Sequence, residues 1–533
     1  PEGIDSEIEE VYDNLLFYDE HTHGAAESVR DPLAQNTINQ WGMKSAYAWE
    51  GAKKSSLLQE KALAFLEPAL NKSKRPTIAV INTLNWKRSG LVHVFIEYGI
   101  IPENENFSIT GPDGNEINWQ VYERRMEGAY YGLWVEDVPP MGYLSLQINV
   151  GSKSQEAPSP GPGFENKYYS VNVDPSKGVI TRIFDKELGK DLVDVHDSLS
   201  LGHFIYEELA NRHELERLTQ SNRDTIYKPL SMRRTALSNI RLVKQENGSI
   251  YQSIFLQGDM PVCADSRGVQ IEIRLYHKQK KIELHYRMVK LPVFTPEGVY
   301  VAFPFKLDGG RLAFEAQGGV VYPGVNQLAG TSADWNTIQN FAAVQSEDAQ
   351  IVFASKDIPL VQFGDINIGR YYYKLKPKTN HIFSWVLNNY WVTNFKASQQ
   401  GELRWSYGIT SSGDPSDMFA TRFGKGERVP LLSRILMPSS RAETTELVSR
   451  SLIDIDVPNL LLVNTTPSMD GKGIILHLRE VEGGHAILDT RRLQEQTGAS
   501  SVEEVSVLEE QLALITSPLL IEHFETRFIK LNF

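Results

Sequence analysis

Two imidazoles one residue apart, His21 and His23, follow directly on two carboxylates, Asp19 and Glu20, in the string Tyr18-Asp-Glu-His-Thr-His-Gly24. Imidazole nitrogens and carboxylate oxygens are the donors that bind zinc-like ions or grip sugar hydroxyls, so the string is a plausible corner of a metal or sugar site. It is no complete site, and such strings are more often hydrogen-bonded loops or helix ends. Gly24 suits a tight turn after the second histidine. A second candidate is Asn388-Asn-Tyr-Trp-Val-Thr-Asn394, whose aromatic faces could stack on pyranose C–H groups while its amides pair with hydroxyls. A strand with a buried Trp391 explains it at least as well. Tyr371-Tyr-Tyr373 has the same ambiguity, because alternate residues of a strand face opposite sides. Carboxylates abound, and a pair of them is what glycoside hydrolysis needs, but sequence alone does not choose the pair. No phosphate-cradling glycine loop, nucleophile elbow, dinucleotide fingerprint or zincin helix occurs.

The elements that position these residues follow from apolar spacing. Ile4, Ile8, Val11, Leu15 and Leu16 recur at three- and four-residue intervals with Asp5 and Glu7 early, which predicts a helix over 4–17 that ends at the Asp19–His23 string. Ile38, Trp41, Ala48, Ala52, Leu58, Ala62, Phe65 and Leu66 predict a second helical stretch over 36–70, also carrying Lys44, Tyr47 and Trp49. Two or three antiparallel helices result, with Trp41 and Trp49 expected to pack between them. Beyond Pro76 the period changes to that of strands: Thr77–Ile81, Leu91–Ile96, Trp119–Tyr122, Leu133–Val135 and Tyr143–Ile148, punctuated by turns such as Gly111-Pro-Asp-Gly114.

Residues 151–163, rich in Pro and Gly, read as a linker. A larger β region opens with Tyr168–Val173 and Val179–Phe184 and continues through Ile271–Tyr276 and Ile282–Arg287, with a charged excursion from Glu207 to Asp224. Long alternating strands with few helical patterns predict two antiparallel sheets packed face to face. Asn459–Val463, Ile474–Leu478 and Phe528–Leu531 form a last β module. The expected organisation is a helical bundle over 1–74, a small β-sandwich with its linker over 75–163, a large β region over 164–430 and a C-terminal β domain over 431–533.

A chain of 533 residues suffices for several domains. Its net charge of −13 argues against nucleic acid, whose phosphates call for a concentrated basic face. The single cysteine, Cys263, rules out intramolecular disulfides and thiolate zinc clusters, and is expected to pack half-buried or buried. No apolar run approaches the roughly 18 residues of a membrane span. Pro1-Glu-Gly-Ile4 has neither a starting Met nor the layout of a signal peptide, so the chain reads as a processed product or fragment. Asn71, Asn106, Asn247 and Asn464 begin glycosylation triplets, which matter only in a eukaryotic secretory host.

Several segments together resemble the glycoside hydrolase family 38 α-mannosidases, in particular bacterial members. Tyr18–Ala25 with Trp41, Lys44 and Ala46-Tyr-Ala48 is similar to the family's middle helical domain. Val138–Tyr143 resembles the end of its first β domain, and Phe164–Tyr169 with Gly178–Lys186 the start of its large supersandwich. Trp391–Phe395, Gln400-Gly401 and Met469–Arg479 extend the match almost to the C-terminus. The resemblance implies a mainly β fold with an N-terminal helical bundle and antiparallel sandwiches, including a galactose mutarotase-like supersandwich.

It further implies a retaining exo-α-mannosidase with one zinc ion, an aspartate nucleophile and a second carboxyl as acid/base. His21 matches the family's late zinc ligand. Thr22 stands where many members have a sugar-contacting Asp, and Asp19, Glu20 or His23 could take that role. The family's nucleophile and early zinc pair lie in an α/β domain upstream of the hairpin, where this chain begins. The expectation is therefore a chain inactive alone, with no catalytic residue of its own and zinc absent or weakly held. Its expected partners are that domain and an α-mannoside or mannose-containing glycan, with oligomerisation open and a bacterial periplasm or cytoplasm as its address. The alternatives are a non-catalytic carbohydrate-binding or scaffolding β-sandwich protein, and a complete glycosidase or lyase using carboxylates of the supersandwich cleft.

Overall fold

The structure, a computed structural model, describes residues 4–20, 24–152, 163–215, 230–368, 370, 372–439, 446–455 and 457–533. His21, Thr22, His23 and Tyr371 lie outside the described residues, as do most of the linker and part of the charged excursion. The chain forms two compact units, one of residues 1–68, 160–246 and 252–415, the other of 69–159, 247–251 and 416–533.

In the first unit, helix α1 (Ile4–Tyr18) and the 32-residue helix α2 (Gln35–Leu66) form an antiparallel hairpin. Its register is written in charges: Glu7 pairs with Lys61, Glu10 with Lys54 and Glu20 with Lys44, partners descending along α2 as they ascend along α1. Phe17 stacks on Tyr47 in the same order, with ring centroids 5.3 Å apart. Pro68 cannot donate to a helical ladder, and α2 gives way to a single 3₁₀ turn at Glu67–Ala69. No side chain of α1 is buried. Trp41 is buried, but Trp49 is 75 % exposed, which corrects the expectation that both pack between helices. Eight positions on from Trp41, at about 100° per residue, the helix has turned roughly 80° past the buried face, and with a single partner helix that flank stays in water.

The predicted face-to-face sheets are present. A six-stranded antiparallel sheet is ordered Met232–Ala236, His203–Leu209, Glu297–Phe303, Ile382–Asn388, Leu360–Phe363, Asn336–Thr337. A nine-stranded sheet holds Val269–Tyr276 beside Ile282–Lys290, with Ile273 opposite Leu284. Ile282–Lys290 alternates buried and half-buried along its whole length, as a strand with one face in the core must. Glu297–Phe303 is buried throughout. Phe303, Phe353 and Tyr407 meet between the sheets, and Tyr286 stacks on Trp405 at 5.3 Å. Tyr372 and Tyr373 lie outside any strand and are exposed, so the strand argument for them fails.

In the second unit, Thr77–Asn82 pairs on one side with Gly142–Val150 and on the other with Leu432–Leu436, while Ser449–Ser451 covers the far edge of Gly142–Val150. A three-stranded sheet, Arg88–Glu97, Gly128–Val138 and Trp119–Arg124, shares an apolar core with it. The Gly111–Gly114 turn forms as expected, with Gly114 at φ +78° and its N–H donating to the Gly111 carbonyl at 3.0 Å. The last β module is a five-stranded sheet joined by a short pair, Ala486–Leu488 with Leu519–Ile521. Cys263 is half-buried, and burial pushes its thiol up to about 11, so it is unreactive near neutrality.

Candidate functional site

The two segments singled out for chemistry, 19–24 and 388–394, come together. Gly24 forms an isolated antiparallel bridge to Phe395. At Gly24 φ is +130°, and a Cβ there would stand 2.3 Å from the Asn394 carbonyl oxygen. Only glycine fits, for conformation and for space alike. The next residues form a turn: Ala25 N–H donates to Ser28 Oγ at 2.8 Å, and Trp41 Nε1–H of α2 donates to the same oxygen at 2.9 Å. Lys396 completes the contact, its Nζ 5.2 Å from the centre of the Trp41 ring. Burial holds the Lys396 amine below its ordinary range.

At the other end of the string, Asp19 N–H still donates to the Leu15 carbonyl at 2.9 Å, extending the helical ladder by one residue. Glu20 is held by Lys44 Nζ at 2.5 Å. Trp41 and Lys44, three apart on α2, thus fix both ends of the 19–24 string from one helix face. His21 and His23 lie between these fixed ends but outside the described residues. The described residues put no group of three metal donors at this hairpin end. By themselves they do not fit a zinc ion, which needs four ligands or three and a water.

What holds 388–396 in place is a buried polar network beneath it. The strand ends at Asn388, and the following residues are irregular, so Trp391 is not a buried strand residue but a half-buried one whose ring lies tilted against that of Phe395, centroids 4.6 Å apart. Asn389 Nδ2 donates to Glu297 Oε1 at 2.9 Å, and Tyr206 OH donates to Glu297 Oε2 at 2.8 Å. Lys290 Nζ lies 2.6 Å from Glu297, both side chains being wholly buried. Beside them Tyr390 OH donates to Glu207 Oε1 at 2.8 Å, and Arg234 Nε to Glu207 Oε2 at 2.6 Å. Burial first, then the neighbouring Tyr300 and Glu207, push the Tyr390 phenol far above its usual range, so it stays a donor. Arg212 donates to the Trp391 carbonyl and, at 2.7 Å, to that of Phe294.

Glu207 and Glu297 are the most deeply buried carboxylates near the candidate site, yet they are poor acid/base candidates. Both are closed to solvent, and each oxygen is engaged by a donor or cation. A general acid must reach its substrate. Their work is to fix the loop that receives Gly24, at the cost of making the network intolerant of a missing partner.

A cavity of about 490 Å³ opens elsewhere on the six-stranded sheet, and sequence reasoning missed it. His381, buried, places Nε2 3.5 Å from Asp194 and Nδ1 3.7 Å from Asp197, and shares the cavity wall with His203, Arg234 and Asp365. Burial, then Lys177, holds His203 below its ordinary value, which favours the neutral imidazole. These residues are up to some 190 positions apart in sequence, and only strand order brings them together.

Residues 164–356 match the family described as Glycosyl hydrolases family 38 C-terminal domain. The chain shares its fold with an α-mannosidase from Enterococcus faecalis V583 at TM-score 0.70 and 14 % identity, over 99 % of this chain and 64 % of that one. A protein in the glycosyl hydrolase family 38 from Enterococcus faecalis aligns at TM-score 0.65 and 14 % identity, over 99 % of this chain and 66 % of that one. The chain therefore spans slightly under two thirds of the length of either protein. A galactose mutarotase-like protein from Lactobacillus casei ATCC 334 overlaps 47 % of the chain, at TM-score 0.27 and 10 % identity over 99 % of its own length. No curated protein sequence matches the chain.

Proposed function

With a family 38 C-terminal domain over residues 164–356 as the premise, we propose that this chain is the C-terminal portion of a retaining, zinc-dependent α-mannosidase acting on α-mannosides of glycans. The observation that carries the reading is the junction of hairpin and supersandwich. Gly24 is locked against Asn394–Lys396, and Glu20 against Lys44, so both ends of the string that carries the two histidines are fixed. In this reading His21 gives the zinc one imidazole, its other ligands come from outside the chain, and Asp19, Glu20 or His23 faces the sugar. Bound there, such an ion would supply Lewis-acid contact to mannose hydroxyls. The nucleophile and the acid/base carboxyl belong to a separate catalytic domain, and the chain alone is inactive. The hairpin's exposed apolar side chains support a covering partner: Tyr12, Leu16, Phe17 and Trp49 are each more than half exposed.

The test is hydrolysis of an aryl α-mannoside by the purified chain, with added zinc and with chelator. No turnover is expected in either condition, and zinc-dependent turnover would put the whole site within these residues. In the full-length protein His21→Ala is expected to lose activity severely. A second reading, a non-catalytic carbohydrate-binding protein, draws on the cavity around His381. It requires the isolated chain to bind a manno-oligosaccharide in a way that Asp197→Asn weakens.

A further inference from the structure

We infer that the C-terminal β module carries a surface site for a borderline divalent transition ion, Zn²⁺ being the commonest, formed by His485, Glu522 and His523. The ladder of Ala486–Leu488 with Leu519–Ile521 sets Ala486 opposite Ile521, so the residues just beyond it, His485 and Glu522, emerge side by side. His485 Nδ1 lies 2.8 Å from a Glu522 carboxylate oxygen, and the His485 and His523 rings are 5.9 Å apart. One donor atom from each of the three falls within 4.8 Å of the other two, the only such group among the described residues. Two imidazoles and a carboxylate suit zinc or cobalt, whereas calcium and magnesium call for mostly oxygen ligands. Metal–ligand distances of about 2 Å require only a short closure of exposed side chains around the ion.

The cluster is built rather than accidental, because one wholly buried carboxylate ties down both of the turns that carry it. Glu480 accepts from the N–H groups of Glu482 and Gly483 at 2.9 Å on the His485 side, and from Phe524 N–H at 2.8 Å on the His523 side. Asn459 Nδ2 donates to the same carboxylate at 2.9 Å and to the His485 carbonyl at 3.1 Å. Phe524 sits at φ +55°, a conformation costly for an aromatic residue, and its bond to Glu480 holds it there. Gly483, at φ +71°, packs so close that a Cβ would stand 2.7 Å from the Phe524 ring. The two turns therefore interlock, and the three donors inherit that fixed relation. Bound, the ion replaces the His485–Glu522 hydrogen bond with two ligand bonds, and the Nδ1 proton, where present, passes to solvent. It thereby clips the open end of the short strand pair.

The site is independent of the zinc in the proposed reaction, and the test keeps the two apart. The full chain, stripped with chelator, is titrated with Co²⁺ under visible absorption, then with Zn²⁺ in competition. One equivalent is expected whose affinity falls about tenfold or more in His485→Ala, in His523→Ala and in Glu522→Gln, but not in His21→Ala. All three side chains are exposed, so circular dichroism should find each variant folded. Absence of Co²⁺ binding, or the same affinity in His485→Ala and His523→Ala as in the parent, overturns the inference.

Discussion

The helical hairpin and the double sheet it rests on are held by opposite means. Helix α1 buries no side chain and is matched to α2 by the ion pairs Glu7–Lys61 and Glu10–Lys54 and the Phe17–Tyr47 stack, with Glu20–Lys44 just beyond its end. The sheets close on a continuous apolar core running from Phe164 to Ile409. Burial gives the sheets most of their stability, whereas ion pairs at an exposed seam contribute little and mainly set register. The hairpin is thus specified in place without being strongly stabilised, and its accuracy depends on the rigid partner at Gly24. Chemistry placed at such a seam can be adjusted without disturbing the core.

That contrast can be broken at several points. Lys290→Met leaves the wholly buried Glu297 carboxylate without its cation and should cost the first unit about 3–5 kcal/mol in urea unfolding. A much smaller loss would mean that Tyr206 and Asn389 carry the network unaided. Next in size, Glu480→Gln should cost the C-terminal module about 2–3 kcal/mol, since an amide offers a donor where four donors converge. The same group gives a pH effect. Burial alone would raise the Glu480 carboxyl, but bonds from Phe524, Glu482, Asn459 and Gly484 hold it below its ordinary value. Its contribution is therefore present above the ordinary glutamate range and is lost as pH falls through the lowered value, which acid unfolding of parent against Glu480→Gln would reveal as parallel curves if absent.

Gly24→Val should act locally: the hairpin detaches from 394–396 and its amides exchange faster by about tenfold or more, with the core transition barely moved. A fall in the core transition as large as that of Lys290→Met would show hairpin and sheets to be one cooperative body. Smallest, Lys61→Ala should change stability by no more than about 0.5 kcal/mol, and less in high salt, because both partners are well exposed.

Much of this was legible beforehand because local pattern and fold agree. Alternation marked Val269–Tyr276 and Ile282–Lys290, and three- and four-residue spacing marked α1 and α2. The site was legible only as two separate strings. Nothing local in Asp19–Gly24 or in Asn388–Asn394 says that they meet, since the meeting is made by strand order and by charges on other strands. Trp49 misled because helical spacing identifies a stripe and not what covers it. Tyr372 and Tyr373 misled because β-prone composition does not by itself recruit a ladder partner. The cavity at His381 and the triad at His485 had no signal at all, because the first gathers residues from distant strands and the second joins His485 to the adjacent Glu522 and His523 across a strand pair closed from far along the chain.

The pairing of Thr77–Asn82 with Leu432–Leu436 carries a consequence for synthesis. The first sheet of the second unit has both inner strands and the short edge strand Phe107–Thr110 by residue 150, but receives Leu432–Leu436 and Ser449–Ser451 only after roughly 280 further residues have been made. At about 5–20 residues per second that interval lasts roughly 15–60 s, during which the hydrogen-bonding edge of Thr77–Asn82 and the Gly142–Leu144 stretch of its neighbour stand open on the ribosome. A nascent chain of this protein is most exposed to wrong partners during that wait. Its yield in a cell should track the speed of translation across residues 151–431 and the supply of chaperones that cover strand edges.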